Sequence, residues 1–443
     1  MGSRSSDAVY LLGFFSFIIL VGALLLYLPA AWIGTSAYPG KLAFIDTLFT
    51  SASAVCVTGL VTADTSGFSR FGQTVIMLLI QLGGLGIISF TSILLTIPGG
   101  RLPLRRLKTI RSFSVEGVEY DPRKIVRNIV FFTLLIEGFG ALLLFFEFDR
   151  MGVDSPGFSA AFHAVSAFCN AGFSIFPDSV ERFNSNPLVL GILVTLIVSG
   201  GIGFIVLQDV ERRIRGKRKR LSYHTKVVLF STLTLIFLAA LAFWLIERQG
   251  VFAGMRLVDS AMNALFQSVT PRTAGFNAVT QTQLHQPSKF LTLILMFIGG
   301  APGSIAGGIK VTTAFTVLIV FLRRPDSQGD YTAFRKRITA STANDAVDYF
   351  LRAGALLVCA TGILSLTEGL IGADFGHIVF ESVSAFGTVG LSLGLTPNLS
   401  FAGKVVIIAT MFAGRVGLIA LAFPGTHRKG GPVSYPAANI ILG

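Results

Sequence analysis

Long, nearly uncharged apolar stretches recur along the whole chain, and each is long enough to cross a bilayer. Because a membrane-spanning helix needs about 20 apolar residues, eight stretches predict spans: residues 9–28, 71–97, 128–146, 188–208, 227–246, 290–322, 353–371 and 405–424. Four of these stretches contain one ionisable residue each, namely Glu137, Lys310, Glu368 and Arg415. The pattern therefore predicts an all-α, polytopic membrane protein.

Shorter apolar segments lie between pairs of these spans, at residues 44–56, 158–169, 258–270 and 375–386. At 1.5 Å per residue, such a segment is about 20 Å long as a helix, which is too short for a hydrocarbon core of about 30 Å. We therefore expect re-entrant elements, which enter as a helix and return as extended backbone. Asp46 and Asp259, near the starts of two segments, are expected to cap the helix or to favour its positive end.

A short glycine motif follows each of these segments. The motifs are Val57-Thr58-Gly59, Asn170-Ala171-Gly172, Thr273-Ala274-Gly275 and Thr388-Val389-Gly390. A second set of glycines, Gly83, Gly200, Gly299 and Gly414, follows the first at separations of 24, 28, 24 and 24 residues. Two glycine patterns in register indicate a fourfold internal repeat.

The repeat predicts four pseudo-symmetric units, each a membrane helix, a pore loop and a second membrane helix, around one central pore. The first unit, residues 1–112, includes a cytoplasmic loop, and the second is 113–220. The third unit, 221–340, contains an interrupted second helix, and the fourth, 341–443, includes the C-terminal tail.

The glycine motifs have the chemistry of a cation filter. Non-helical backbone at membrane depth persists only where it is buried in protein or lines a watery cavity. Backbone carbonyl oxygens can there replace the hydration shell of an ion, and glycine accepts the positive φ that aims successive carbonyls at one axis. A single motif of this kind is an ordinary turn, and it is the fourfold recurrence after half-length helices that favours a filter.

The second membrane span of the third repeat is interrupted by a glycine-rich stretch. Its predicted gating residues are Gly299, Gly300, Pro302, Gly303, Ser304, Gly307, Gly308 and Lys310. This composition is incompatible with a continuous stable helix, and broken helices at membrane depth mark ion or substrate paths. A flexible loop below the filter is the favoured interpretation and a packing kink the alternative. Lys310 is expected to anchor the loop by bonding to its carbonyls.

Three further charged residues need an explanation because charge inside a span is costly. Arg415 could bind carbonyls of the interrupted loop, or it could be the ion-pair partner of Glu381 or another acid, and both interpretations stay open. Arg272, just before the third motif, is expected to brace the filter. Glu137 is interpreted as a satisfied core acid, with a proton carrier as the alternative.

Composition and charge fix the orientation. The chain is 52% hydrophobic and only 13% charged, with a formal net charge of +13. The basic residues concentrate at 101–127, 212–226 and 323–337, between the predicted repeats. Short loops rich in Lys and Arg stay in the cytoplasm, so both termini are predicted to be cytoplasmic. The charge indicates topology and contact with membrane lipids, and no nucleic-acid partner is expected.

Two other function classes fit less well. A proton- or sodium-coupled secondary transporter of another solute should bury several ionisable residues at mid-membrane, and few are present. An intramembrane enzyme needs a catalytic constellation, whereas the five histidines are dispersed. We expect no enzymatic activity, and no nucleotide on this chain, since it has no Walker or Rossmann glycine motif in a suitable context.

The glycine motifs also carry a resemblance. The segments 167–174, 270–277 and 385–391, the glycine-rich interruption and the tail 434–443 resemble the Trk/Ktr/HKT superfamily of potassium transporters, most closely the Ktr-type membrane subunits (KtrB). The likeness runs from about residue 9 to the C-terminus. It departs from Trk-type subunits, which carry an additional N-terminal helix pair, and from the expected loop at Pro302, where a small residue would be usual.

The resemblance implies potassium uptake across the bacterial cytoplasmic membrane, with carbonyls of the four motifs binding the transported ion. It implies a gating loop from Gly299 to Gly308, with Arg415 close beneath the filter. It also implies a homodimer on a cytoplasmic, nucleotide-binding regulatory ring of KtrA type. Whether sodium is required stays open.

Overall fold

The computed structural model describes residues 4–35, 40–96, 122–216 and 219–417, and these residues are mostly helical. In chain order the helices are α1 (Arg4–Tyr27), α2 (Phe44–Cys56), α3 (Arg70–Thr96), α4 (Pro122–Arg150), α5 (Pro156–Phe168), α6 (Pro187–Ile202), α7 (Phe204–Ile214), α8 (Tyr223–Glu247), α9 (Leu257–Val269), α10 (Gln286–Phe297), α11 (Val311–Leu322), α12 (Ala340–Glu368), α13 (Phe375–Gly387) and α14 (Phe401–Phe412). A π-helical turn, Ala413–Gly417, follows α14. Short 3-10 turns lie at Pro29–Ala31, Thr65–Gly67, Glu181–Phe183, Gln281–Gln283, Gly369–Ile371 and Thr396–Asn398.

The long helices have the composition of membrane spans. Within the described residues, Lys124–Arg150, Tyr223–Glu247 and Ala340–Ile371 are long and apolar enough to cross a bilayer. Large apolar side chains cover their outer faces. Examples are Phe131 and Phe139 on α4 and Phe237 on α8, which are 60%, 63% and 68% exposed. An exposed apolar face on a long helix is suited to lipid, so this is an integral membrane protein.

The prediction of one continuous helix at 188–208 is wrong. The structure divides it into α6 and α7, which are bent by 102° at a single residue, Gly203. Gly203 has a φ of 92°, and a Cβ atom there would lie 2.8 Å from the carbonyl oxygen of Pro302. The bend therefore results from close packing against another part of the chain, which spacing alone does not reveal.

The other predicted spans agree in position. The stretch 290–322 is interrupted as expected, since α10 ends at Phe297 and α11 begins at Val311. The last span begins as α14 and changes to the π-helical turn, and its predicted residues 418–424 lie outside the described part of the chain. The C-terminal tail and most of the first basic loop, 101–121, also lie outside it.

One hairpin departs from the all-α expectation. Strands β1 (Tyr331–Ala333) and β2 (Lys336–Ile338) pair antiparallel, with Thr332 opposite Arg337. The aromatic ring of Phe334, in the turn, stacks on Phe315 of α11 at 5.8 Å. This packing attaches the hairpin to the membrane helices.

Four short helices, α2, α5, α9 and α13, lie where the sequence predicts re-entrant segments, and they organise the packing. Each packs against the long helix that precedes it, namely α1, α4, α8 and α12. Each also contacts a second helix from a neighbouring part of the chain: α3 packs on α5, α6 on α9, α10 on α13, and α14 on α2. The last of these contacts joins the end of the described chain to its beginning, so the arrangement is cyclic.

Candidate functional site

Four backbone segments, each directly after a short helix, meet in a closed ring. We number them segment 1 (57–59), segment 2 (170–172), segment 3 (273–275) and segment 4 (388–390). A Cβ atom built on the glycine of any segment would lie within 3.0 Å of a carbonyl oxygen in the next segment. The pairs are Gly59 with Ala171, Gly172 with Ala274, Gly275 with Val389, and Gly390 with Thr58. The order closes on itself, so the structure brings the four predicted motifs together.

Backbone conformation alternates in the same way in every segment. The glycines have φ values of 69° to 97°, as predicted for residues that must turn successive carbonyls. The first residue of each segment is also left-handed, although none is glycine: φ is 57° at Val57, 56° at Asn170, 75° at Thr273 and 50° at Thr388. β-Branched residues in this region are outliers that persist only where the surroundings hold them.

Hydroxyl groups of the short helices hold the segments. In segments 1 and 4 a serine accepts a hydrogen bond from the glycine N–H, Ser53 from Gly59 at 3.0 Å and Ser384 from Gly390 at 3.1 Å. In segments 2 and 3 a hydroxyl donates to the carbonyl after the glycine, Ser166 to Phe173 and Thr270 to Phe276, both at 2.7 Å. Sequence reasoning missed these residues. Their signal in the sequence is a serine six positions before the glycine of segments 1, 2 and 4, and Thr270 five positions before the glycine of segment 3.

The second glycine pattern has a packing cause. A Cβ atom at Gly83, Gly200 or Gly414 would collide with a carbonyl oxygen at the C-terminal end of a short helix. The carbonyls belong to Val55, Phe168 and Phe386 respectively. Each lies four residues before a ring glycine, so the second helices pack directly below the segments. Gly299 is different, since it lies against Gly307 within the interrupted stretch.

The interrupted stretch, residues 298–310, forms a buried loop, which we call the glycine-rich loop. Its ends are joined by hydrogen bonds from Gly299 N to Ile309 O and from Val311 N to Gly300 O, each 2.9 Å. A Cβ atom on Gly307 would collide with the Thr388 hydroxyl, so the loop lies against segment 4. Of the predicted gating residues, Gly307 therefore lies next to the ring.

The broken helix α6–α7 holds the other side of this loop. Ala301 N donates to the Gly201 carbonyl at 2.9 Å, and Phe204 N donates to the Gly303 carbonyl at 3.1 Å. Both bonds use backbone groups that the bend at Gly203 frees from helical pairing. Within the loop, Ser304 donates to the Ala301 carbonyl at 2.6 Å.

Arg415 and Lys310 donate to loop carbonyls. Arg415 is 3% exposed, and its Nη1 donates to the Ile305 carbonyl, while Nη2 donates to the Gly83 carbonyl at 3.4 Å. Lys310 Nζ donates to the Ala306 carbonyl. For Arg415 these contacts favour the loop interpretation over pairing with Glu381.

Other charged residues have mixed outcomes. Glu137 accepts a hydrogen bond from Gln81 at 2.9 Å, as expected of a satisfied core acid. Arg272 is buried, but its Nε has no hydrogen-bond partner within the described residues, so no bracing contact is made through that atom. Asp46 lies in the first turn of α2 without capping it and instead pairs with Lys404 of α14 at 2.6 Å. Asp259 similarly pairs with Arg256 at 2.7 Å.

The loops that follow segments 2 and 3 are joined to each other. The N–H of Asn277 donates to the Ser179 hydroxyl at 3.1 Å, and the Thr280 hydroxyl donates to the Glu181 carboxylate at 2.8 Å. Partial burial raises the pKa of Glu181 above its usual value. These bonds fix the position of the two segments relative to each other on the side away from the glycine-rich loop.

Known proteins resemble this chain along most of its length. A family model described as TrkH, cation transport protein, matches residues 32–424. The Ktr system potassium uptake protein B of Bacillus subtilis is 37% identical over 98% of this chain and 96% of its own length. The potassium/sodium uptake protein NtpJ of Enterococcus hirae is 35% identical over 97% and 96%. The crystal structure of TrkH from Vibrio parahaemolyticus superposes with a TM-score of 0.77 at 19% identity, covering 95% of this chain and 84% of that one.

Proposed function

The chain belongs to the TrkH family of cation transport proteins, and from that premise we propose that it takes up potassium ions across the bacterial cytoplasmic membrane through one channel-like pore. The relatives named above support the choice of ion, since one is named a potassium uptake protein and another a potassium/sodium uptake protein. The observation that carries the proposal is the closed ring of segments 1 to 4. The transported potassium ion is the only ion we assign to the ring.

The ring provides the ligands that a dehydrated potassium ion needs. Carbonyl oxygens of the four segments replace the hydration shell of the ion, and no charged side chain is required. The short helices end at the ring, so their negative C-terminal ends favour a cation there. The left-handed first residues and the hydrogen bonds from the short-helix hydroxyl groups hold the oxygens in place, which lets the site discriminate between ions of different size.

The same contacts support a fourfold organisation. We assign repeats 1–112, 113–220, 221–340 and 341–443, each a membrane helix, a re-entrant helix with its segment, and a second membrane helix. The cyclic packing of each second helix on the next short helix supports this assignment. The basic residues between repeats place those loops and both termini in the cytoplasm.

The glycine-rich loop acts as the gate in this proposal. It lies between segment 4 and the broken helix α6–α7, and it is held by backbone hydrogen bonds and by Arg415. Opening requires the loop to leave these bonds, and its glycines make that change of conformation inexpensive. Pro302 limits the movement at one position of the loop.

The partners in this proposal are a second copy of the chain and a cytoplasmic ring. The Bacillus subtilis relative is named as part of a Ktr system, which supports regulation by a separate subunit. We propose a homodimer on a nucleotide-binding ring of KtrA type, with the nucleotide on the ring and not on this chain. The mass of the detergent-solubilised complex, measured with and without the ring, tests both assignments.

The test of the transport function is an isotope-flux assay of the purified full-length protein in proteoliposomes. We expect radioactive rubidium to enter down its gradient, potassium to compete for entry, and a proton gradient to be unnecessary. The assay is run with and without sodium, because one relative is named a potassium/sodium uptake protein. Rubidium flux that requires a proton gradient would contradict a channel-like pore, and undetectable rubidium flux would favour the alternative, a proton- or sodium-coupled secondary transporter of another solute.

A further inference from the structure

Two of the four short helices carry a buried titratable residue at the same position relative to the ring. His163 of α5 lies nine residues before Gly172, and Glu381 of α13 lies nine residues before Gly390. Both side chains are 0% exposed. Neither belongs to the ring or to the glycine-rich loop, and the transport mechanism proposed above does not use them.

Both residues bond to a serine on the far side of the ring glycine. His163 Nε2 lies 2.8 Å from the Ser174 hydroxyl, and the Ser392 hydroxyl donates to Glu381 Oε2 at 2.9 Å. Each serine is two residues after its glycine. The side chain therefore links the middle of a short helix to the chain that leaves the ring.

The two serines are held in the same way by the backbone that follows. The Ser174 hydroxyl accepts from Phe176 N at 3.1 Å, and the Ser392 hydroxyl accepts from Gly394 N at 3.0 Å. Both donors are four residues after the ring glycine. We call each chain of bonds, from titratable residue to serine to backbone N–H, a bracket. The brackets are identical in register although their first members differ in chemistry.

The remaining bonds orient each first member. His163 Nδ1 lies 2.7 Å from the Ser159 carbonyl, an acceptor only, so in the neutral ring Nδ1 donates and Nε2 is an acceptor. The Ser174 hydroxyl lies 2.8 Å from this nitrogen and 2.9 Å from the Ser179 carbonyl, so its one proton is shared between two acceptors. The second oxygen of Glu381 accepts from the Thr396 hydroxyl. Because such buried polar groups are costly to leave unpaired, each bracket resists displacement of the serine.

The other two short helices lack a bracket. In α2 the matching residue is Thr50, whose hydroxyl donates to Asp46 O of its own helix at 2.9 Å. In α9 the matching residue is Phe266, which is apolar and fully buried. The next residue, Gln267, bonds to Gln281 beyond segment 3 at 2.9 Å, a link with neither a titratable residue nor a serine. Since the ring order is 1–2–3–4, the bracketed segments 2 and 4 lie opposite each other. The brackets thus act across the ring on one diagonal.

We infer that His163 and Glu381 are positioning residues for ion selectivity: through Ser174 and Ser392 they fix the ends of segments 2 and 4 and so set the spacing of the carbonyl oxygens on that diagonal. This inference rests on the proposed function, since it assumes that the ring is the filter. They do not touch the ion. Loss of a bracket lets the segment relax, so that the ring fits potassium less well relative to sodium.

The test compares potassium and sodium uptake by full-length variants in proteoliposomes. Glu381→Ala and Ser392→Ala are each expected to lower the potassium-to-sodium ratio about fivefold, the scale of one buried hydrogen bond. The ratio in the double variant is expected to fall no further than in the more affected single variant, because both changes break the same Ser392–Glu381 bond. Glu381→Gln keeps an accepting oxygen and should restore the ratio to within about twofold of the unchanged protein.

Thr50→Ala is the matched control, since it removes a buried hydroxyl at the same helix position without a link beyond the glycine. Its ratio should stay unchanged. An equal loss in this variant, or an unchanged ratio in Ser392→Ala, would overturn the inference.

Ser174→Ala provides an independent arm on segment 2, and it decides the question if Glu381→Ala does not fold. It should lower the ratio as Ser392→Ala does, and an unchanged ratio would contradict the role of its bracket. The uptake ratio of the unchanged protein distinguishes failure of this inference from failure of the proposed function. If that protein shows no preference for potassium, the proposed filter fails; if it shows one that no bracket variant alters, only the inference fails.

Discussion

At each ring glycine two physical requirements coincide. The φ of Gly390 is 97°, in a region that side-chain-bearing residues rarely adopt. A Cβ atom there would also collide with the Thr58 carbonyl of the neighbouring segment. Either requirement would favour glycine, and together they make any side chain at this position a source of strain. The carbonyl that excludes the side chain is one of those proposed to bind the ion.

We therefore expect Gly390→Ser to reduce selectivity. A displaced carbonyl that binds potassium about 1.4 kcal/mol less well lowers the affinity tenfold. The potassium-to-sodium uptake ratio should therefore fall about tenfold or more. Competition between the two ions in radioactive rubidium uptake measures this ratio. Gly354→Ala on α12 is the control, because no atom lies within 4 Å of the added Cβ, and its ratio should be unchanged. An unaltered ratio in Gly390→Ser would show that the ring does not select the ion.

The residue scale also shows what a single sequence can reveal. The ring glycines could be predicted because their spacing recurs and because positive φ selects glycine. The left-handed conformation of Val57 and Thr388 could not, since β-branched residues normally avoid it. Their surroundings impose it, through contacts between segments far apart in the chain. Ser53 and Ser384 were missed because each short helix contains a further serine, and the spacing of six to the glycine becomes distinctive only when the motifs are aligned.

At the scale of elements, glycines let the second helices pack closely against the backbone at the C-terminal ends of the short helices. The pattern of Gly83, Gly200 and Gly414 was visible in the sequence as a repeat, but its cause is a contact with the carbonyl end of a short helix. The interruption at 298–310 was predictable from its glycines. The bend at Gly203 was not, because the same glycine spacing at Gly83, Gly84 and Gly86 stays helical in α3. The reason for the bend lies in the partner loop.

The contact below the ring predicts a large effect of a small change. Gly414→Ala should destabilise the protein by about 1–3 kcal/mol, the range for overpacking a buried site, because the added methyl group meets the Phe386 carbonyl. A lower temperature of thermal unfolding in detergent measures the effect. Gly362→Ala on α12 adds the same group where nothing lies within 4 Å and should leave that temperature unchanged or raise it. Equal stability of the two variants would contradict the packing role.

The loop predicts an effect on rate rather than on selectivity. Arg415→Ala removes the donor to the Ile305 carbonyl, so the glycine-rich loop should open more often and rubidium uptake without the regulatory ring should rise several-fold, on the scale of a charge-assisted hydrogen bond. The potassium-to-sodium ratio should be preserved. Arg352→Ala is the control, since this arginine is exposed and pairs with Asp348 on the outer face of α12. Uptake that falls or stays constant in Arg415→Ala would argue against a gate there.

At the scale of the whole molecule, the chain closes on itself. The helix α14, near the end of the described residues, packs against α2, near the beginning. Asp46 and Lys404 form an ion pair of 2.6 Å at this junction, with side chains 10% and 13% exposed. Sequence reasoning gave Asp46 a local role at its helix terminus. The partner is 358 residues away, so only the closed arrangement reveals it.

This junction predicts how the ring is held together. Removing one member of a mostly buried ion pair costs about 3–5 kcal/mol, so Lys404→Met and Asp46→Asn should each lower the unfolding temperature clearly. The double variant should be more stable than the sum of the two losses implies, because it leaves no unpaired charge. A double-mutant cycle by thermal unfolding in detergent measures the coupling. Strictly additive losses would show that the pair does not hold the first and last units together.

The most direct measurement of the central claim is anomalous X-ray scattering from crystals grown with rubidium or thallium in place of potassium. We expect anomalous density on the axis enclosed by segments 1 to 4, within coordination distance of their carbonyl oxygens, and its persistence at nearly full strength when an equal concentration of sodium is added. Density that lies only outside this ring, or a ring that holds sodium equally well, would contradict the account.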